Sequence, residues 1–329
     1  MFEDNNLETQ PIKEMNIFNN WNSVVEAWYC VGEESALKNN ILSTQVGKQK
    51  LVIFKTETGK VHCLDAFCSH MGLNLSLGKV VKEEIRCHFH HWSFKGDGTC
   101  SKQKDLNSYP VEVRYGLIWI WAGKEAKYPL PLHQDLLENY TYKRGPVYTR
   151  PSHPHISLLN ALDIQHVNTV HALDLNVSAK HYEAPDQSYI HYDFEGKFLT
   201  KEKIFLTGGG YKFSVRYAGA TVGFLKALEG IKIFGKIPFP TIYATFGYRQ
   251  INQNQTVIQP IFLTPKRTGV LGWIKSQLHL FVTEMIYNRL KGEDGEIYEN
   301  IRFTPNFTPD DSNIVSFIAH VNRLPKSKF

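Results

Sequence analysis

The stretch "CSHMGLNLSLGKVVKEEIRCHFHHW", Cys68 to Trp92, constrains this chain more than any other. Cys68 and His70 are spaced C-x-H, and Cys87 and His90 are spaced C-x-x-H, with sixteen residues between the two pairs. One tight loop can aim both of its side chains at a single point, so a fold that uses both pairs must bring two loop tips together. The flanks read as strands. "LVIFKTETGKVHCLDAF" alternates, is rich in Val, Ile and Phe, and has "ETGK" as its turn; "WSFKGDGTC" is a strand with a Gly-containing turn; "YGLIWIWAG" reads as a buried strand.

The donors are two thiolates and two imidazoles. That set suits zinc or an iron–sulfur cluster of mixed ligation. No helix bearing the histidines is evident, as a zinc finger would need. The five cysteines, Cys30, Cys63, Cys68, Cys87 and Cys100, are an odd number in a chain of 329 residues. That argues against a disulfide framework. The acidic, polar start "MFEDNNLETQPIKEMN" is unlike a secretory signal, and no 18-residue apolar run exists. Reduced thiols and a cytoplasmic location are the expectation. A net charge of +5 without a long Lys/Arg block gives no reason to expect nucleic-acid binding. Cys63, Cys100, His62, His88 and His91 lack ligand spacing and are expected to be packing or surface residues.

"CSH…CHFHHW" within this strand pattern resembles the signature of Rieske [2Fe–2S] domains. The resemblance implies that Cys68 and Cys87 hold one iron and His70 and His90 the other. It covers about a hundred residues, and His91 stands where the family often has Gly.

A second constellation follows. "NALDIQHVNTVHALDL" places Asn160, Asp163 and His166 three apart, on one face of a helix. His171 is five further on, so a regular helix would split the two histidines, and the helix must unwind or bulge near Asn168–Thr169 if both are to meet one metal. Behind a Rieske motif, D-x-x-H-x-x-x-x-H resembles the mononuclear iron motif of Rieske non-haem iron oxygenases. The resemblance makes His166 and His171 ligands of Fe(II) and Asp163, beside Asn160, the carboxylate that bridges to the partner subunit's His90 in a homotrimer. The third ligand is sought in "GWIKSQLHLFVTEMIYNRLKGEDGEIYENIRF". Ile274, Leu278, Phe281, Val282, Met285, Ile286 and Leu290 form an apolar stripe, and its face continues to Asp294. A carboxylate on an inward face needs a partner, and a metal is one. Asp294 is favoured over Glu293, Asp310 and Asp311.

These readings give an α+β chain: tail 1–20, all-β Rieske domain 21–125, connector 126–146 and catalytic domain 147–329. The resemblance implies a helix-grip fold for the last, an antiparallel sheet wrapped on a long C-terminal helix. "GYKFSVRYAG", "TIYATFGYRQ" and "QTVIQPIFLTP" are its expected strands, and "GGG" at 208–210 an expected hairpin turn. The region "ATVGFLKALEGIKIFGKIPFPTIYATFGY" is expected to line a substrate pocket, with a membrane surface as the lesser reading. Among Tyr211, Phe213, Tyr217, Phe224, Phe234, Tyr243, Phe246, Tyr248 and Phe262 a minority is expected to face that pocket. Arg216 and Arg249 are the candidates to hold a substrate carboxylate. His153, His155, His181 and His191 are expected on loops or strands.

No dinucleotide fingerprint is present. The resemblance therefore implies a separate NAD(P)H-dependent reductase, with or without a ferredoxin, and Lys95, Lys102 and Lys104 could receive an acidic partner. It implies O2 as co-substrate and hydroxylation, demethylation or desaturation of a hydrophobic small molecule. The motifs, with "EDGEIYENIRF", are similar to the ketosteroid-hydroxylase and cholesterol-7-desaturase branch. Aromatic-ring dioxygenation of a smaller substrate, an inactive helix-grip binding protein and a plain Rieske electron carrier are the alternatives.

Overall fold

The computed structural model describes residues 16–100, 102, 104–131 and 139–329. Most of the expected tail and part of the expected connector lie outside them. Three small antiparallel sheets build the first half. The first joins Trp28–Glu33, Leu117–Trp121 and Val111–Arg114; the second joins Ile41–Val46, Gln49–Lys55, Val61–Asp65 and Ser108–Tyr109; the third joins Lys79–Val81, Glu84–Arg86 and Ser93–Lys95. The expected hairpin runs Gln49–Lys55 to Val61–Asp65, and every residue of Leu117–Trp121 is buried.

The second half is one eight-stranded antiparallel sheet. Its order is Tyr140–Arg144, Gln255–Pro265, Ile242–Asn252, Val222–Glu229, Gly210–Ala218, Tyr189–Phe198 and Leu175–Glu183, with Tyr148–Arg150 also pairing to Gln255–Pro265. Tyr140–Arg144, read from sequence as connector, is thus part of this sheet. Tyr189–Phe198 alternates strictly: Ile190, Tyr192, Phe194 and Phe198 face the core while Asp193, Glu195 and Lys197 face water.

Among the described residues, five α-helices complete the fold: α1 Pro154–Leu159, α2 Ile164–Thr169, α3 Lys201–Thr207, α4 Gly269–Asn300 and α5 Ser312–Arg323. The "GGG" is not a hairpin turn. Gly208, at φ 77°, caps α3, and Gly210 opens the next strand. Only a residue at ease in the left-handed region can end a helix this way. Gly292 and Gly295 leave α4 unbroken.

The two halves share a core. A Cβ at Gly247 would stand 2.6 Å from Cys30 Cβ, so glycine lets the large sheet meet the first small one. Arg249 donates to the carbonyls of Val31 and Gln45 and to the Thr44 hydroxyl. It ties the sheets together and is not available to a substrate. Arg216 packs over the Tyr189 ring. The first described residues are anchored too: Ile17 and Phe18 are buried, and both backbone amides donate to the Asn322 side chain at 3.0 Å.

His153 and His155 are buried beneath this segment, His153 capping α1 and His155 accepting from the Asn19 amide. Burial pushes His153 down to about 3 and His155 far below the ordinary imidazole range. Both stay neutral in the folded chain, whereas the unfolded chain protonates them below about pH 6.5. Stability is therefore lost as pH falls through that value, by about 2 kcal/mol per histidine at pH 5. Urea midpoints at pH 7 and pH 5 should show this loss, and a His153→Gln, His155→Gln variant should flatten it.

Candidate metal centre

Two loops meet at the tip of the first half. In one, the Cys68 amide bonds the Leu73 carbonyl and the Gly72 amide the Cys68 carbonyl, both at 2.9 Å; in the other, the Cys87 amide bonds Trp92 at 2.8 Å and the His91 amide bonds Cys87 at 3.1 Å. His91 sits at φ 60°, the left-handed region that glycine favours. The Cys68 and Cys87 thiols are buried and within hydrogen-bonding reach of each other. The His70 and His90 rings stand 4.5 Å apart and are exposed, with His70 stacked on Trp92 at 4.4 Å. Sulfur donors inside and imidazole donors at the surface fit a cluster bound by Cys on one iron and His on the other. His88 and His91 are exposed, His62 packs on Phe54, and Cys63 and Cys100 are buried.

The second site forms where the chain breaks twice. Asn160–Leu162 is a 3-10 turn, and Asp163 is extended at φ −83°, ψ 95°, so Asn160, Asp163 and His166 do not share one helix. Instead the Asp163 side chain caps α2, accepting from the His166 amide at 3.0 Å. The helix ends at Thr169, and left-handed Ala172 and Asp174 follow. His171 is thereby freed from helical geometry, which resolves the expected split by ending the helix rather than bulging it.

His166, His171 and Asp294 converge, with one ligand atom from each within 4.8 Å of the others. Each is oriented by its far side. His166 Nδ1 lies 2.5 Å from the Asp163 carbonyl, which can only accept, so Nδ1 carries the proton and Nε2 keeps its lone pair. His171 Nδ1 donates to Glu293 Oε2 at 2.7 Å. Asn160 Nδ2 donates to Asp294 Oδ2 at 2.6 Å, leaving Oδ1 for the centre. There His171 Nε2 and Asp294 Oδ1 stand 3.1 Å apart and His166 Nε2 is 3.7 Å from the same oxygen. His166 Nε2 and Asp294 Oδ1 are buried with no hydrogen-bond partner. Lone pairs crowded this way repel each other unless a cation lies between them. Two imidazoles and one carboxylate are a facial donor set for iron with open positions.

Glu293 is therefore the carboxylate that orients His171, not the third donor at the centre. Its own Oε1 accepts from Arg289, and the His171 bond first, then Arg289, holds its carboxyl below the usual range. Asp311 caps its own turn through Thr308.

A cavity opens above the three donors, between the large sheet and α4. Tyr211, Phe213, Tyr217, Phe224, Phe246, Tyr248 and Phe262 line it, a majority of the strand aromatics where a minority was expected; Phe234 is exposed instead. Sequence reading missed Arg150. Its guanidinium is buried, lines the cavity and donates through Nη2 to the Lys291 carbonyl at 3.1 Å, while Nη1 has no partner. A lone arginine gives no sequence signal; burial next to a cavity does. Arg150→Met should weaken an oxygen-bearing ligand about tenfold or more and leave a hydrocarbon analogue unaffected, read by equilibrium binding.

Residues 27–113 match the family described as Rieske [2Fe-2S] domain. This chain carries a Rieske [2Fe-2S] domain. The sequence is similar to cholesterol 7-desaturase nvd of Bombyx mori, 32% identical over 161 residues that cover 45% of this chain and 36% of the relative. It is also similar to the oxygenase component of 3-ketosteroid-9-alpha-monooxygenase of Mycolicibacterium smegmatis, 31% identical over 38% of this chain and 35% of the relative. These matches span about a third of the relatives' length. Solved structures extend the likeness in fold across the Rieske domain and the large sheet together. The reduced complex between oxygenase and ferredoxin in carbazole 1,9a-dioxygenase matches with TM-score 0.68 at 16% identity, over 93% of this chain and 91% of that one. Dicamba monooxygenase bound to dicamba matches with TM-score 0.60 at 17% identity, over 92% and 97%.

Proposed function

We propose that this chain is the terminal oxygenase of a multicomponent system. It uses O2 and externally supplied electrons to hydroxylate, demethylate or desaturate a hydrophobic substrate, aromatic or steroid-like. One observation carries the reading: three lone pairs converge at the floor of an apolar cavity in a chain that also carries a Rieske domain.

In this reading Cys68, His70, Cys87 and His90 hold the [2Fe-2S] cluster, and His166, His171 and Asp294 hold one Fe(II). Iron held by these three residues would supply reductive activation of O2. The chain's own residues do the rest. The Asp163 carbonyl and Glu293 fix the tautomers of His166 and His171, and Asn160 fixes the Asp294 carboxylate. The aromatic walls exclude water and hold an apolar skeleton against the donors. Arg150 offers an N–H to a substrate oxygen.

Electrons arrive from an NAD(P)H-dependent reductase, with or without a ferredoxin. Lys95, Lys102 and Lys104 are exposed near the cluster, and Ser69 of the cluster loop bonds the Lys104 carbonyl at 2.6 Å. A homotrimer would bring the partner subunit's His90 to Asp163. Exposed imidazoles ringed by Met71 and Phe89, 66% and 57% exposed, suit a docked neighbour.

The test is O2 uptake by the iron-loaded protein with a surrogate reductase, across steroids and small aromatics. Substrate-dependent uptake with a hydroxylated, demethylated or desaturated product supports the reading. A full cluster signal without uptake for any apolar compound would leave an electron carrier.

A further inference from the structure

The first half of α4 wears its apolar side chains outward. Leu271, Ile274, Leu278, Phe281 and Met285 recur at steps of three and four and are 48–76% exposed, with Trp273 beside them at 61%. The inward face of the same stretch carries Ser276, His279 and Thr283, with Leu280 as its one fully buried apolar side chain. A helix on the surface of a protein surrounded by water is patterned the other way.

A second apolar patch stands next to it. Phe205 of α3 and Phe234 and Ile237 of the hairpin between Lys232–Ile233 and Ile237–Pro238 are 57–66% exposed, and the Phe205 and Phe234 rings lie 6.3 Å apart. The chain returning from this hairpin meets α4, where the His279 ring contacts the Thr241 backbone. Both patches lie on elements that continue into the cavity wall. Leu228 and Ile242, at the two roots of the hairpin, line it, and so does Leu290 of α4, which is also 37% exposed.

The rim is basic. Lys201, Lys232, Lys236, Lys266 and Lys275 are exposed on or beside these elements. Among the acids of these elements, Glu284 pairs with Lys143 at 2.6 Å and Glu229 with Lys226 at 2.8 Å, while Glu202 of α3 and, in the far half of α4, Glu296 and Glu299 are exposed. A symmetric contact with a second copy would set Lys266 and Lys275 near their own mates. Acyl chains under anionic headgroups match both features at once, with Trp273 at the boundary level.

We propose that these patches form one surface by which the protein docks on an anionic lipid bilayer, with the rim of the cavity turned toward the acyl layer. No helix of the described residues is long and apolar enough to cross a membrane, and the contact proposed is docking on the surface. The inference rests on the hydrophobic-substrate reading above and adds the route by which such a substrate enters.

The experiment is flotation of the iron-loaded full chain with two vesicle types, phosphatidylcholine alone and phosphatidylcholine with phosphatidylglycerol in equal parts. The wild type should float with the mixed vesicles and stay behind with the neutral ones. Leu271→Gln with Phe281→Gln keeps the net charge and alters only exposed positions; it should lose about tenfold or more of the bound fraction. Brominated lipid should quench part of the tryptophan emission, and Trp273→Phe should remove that part. Absence of flotation, or equal flotation of the Leu271, Phe281 variant, would overturn the proposal. So would a smaller particle for that variant than for wild type in solution, which would assign the face to a second copy. Flotation needs neither turnover nor reductase, so its failure and a failure of the oxygenase reading are separately visible.

Discussion

Asp294→Ala should remove the mononuclear iron and lower substrate-dependent O2 uptake by more than about a hundredfold, while the absorption of the Rieske cluster stays unchanged. The carboxylate is 5% exposed, and its Oδ1 faces His166 Nε2 and His171 Nε2 with no hydrogen-bond donor of its own. Losing one donor of three leaves two imidazoles, too few to hold Fe(II) against water. The cluster loops lie elsewhere in the fold, so their spectrum is the internal control. Glu293→Gln is the companion variant. It keeps a partner for His171 Nδ1 but removes the negative charge behind it, and iron affinity should fall about tenfold. Iron retained in Asp294→Ala and lost in Glu293→Gln would exchange the roles of the two carboxylates.

Asp163→Asn should keep both metals and slow electron transfer between them by about a hundredfold or more. The structure gives a reason to expect an intact fold. Asp163 caps α2 through its side chain, and asparagine caps as well as aspartate. The carbonyl that holds His166 Nδ1 is main chain and survives the substitution. In the proposed homotrimer, what changes is the charge that Asp163 would offer to an imidazole N–H across the interface. Single-turnover kinetics separate this from a metal-binding defect, and an unchanged rate would contradict the bridging role.

Much of the site was legible because it is local. The C-x-H and C-x-x-H pairs sit on tight loops whose geometry follows from spacing alone, and "LIWIW" could only be a buried strand. Asp294 was legible for a less direct reason. Ile286, Leu290 and Asp294 do share the face that lines the cavity. The rest of that stripe misled, since Ile274, Leu278, Phe281 and Met285 face outward. Periodicity shows that a helix has two faces and cannot say which one meets the sheet. The break at Asp163 was hidden because the residues around it are acceptable in a helix, and only the cap reveals the stop. Arg150 and Glu293 act through residues distant in sequence, at Lys291 and His171, so no window of the sequence could pair them.

Iron and acid-labile sulfide, measured on anaerobically prepared protein supplied with iron, test the central claim most directly. Two coupled centres in one chain predict about three irons to two sulfides, with a g value near about 1.9 for the reduced cluster. Zinc alone, or iron and sulfide in equal amounts, would contradict it.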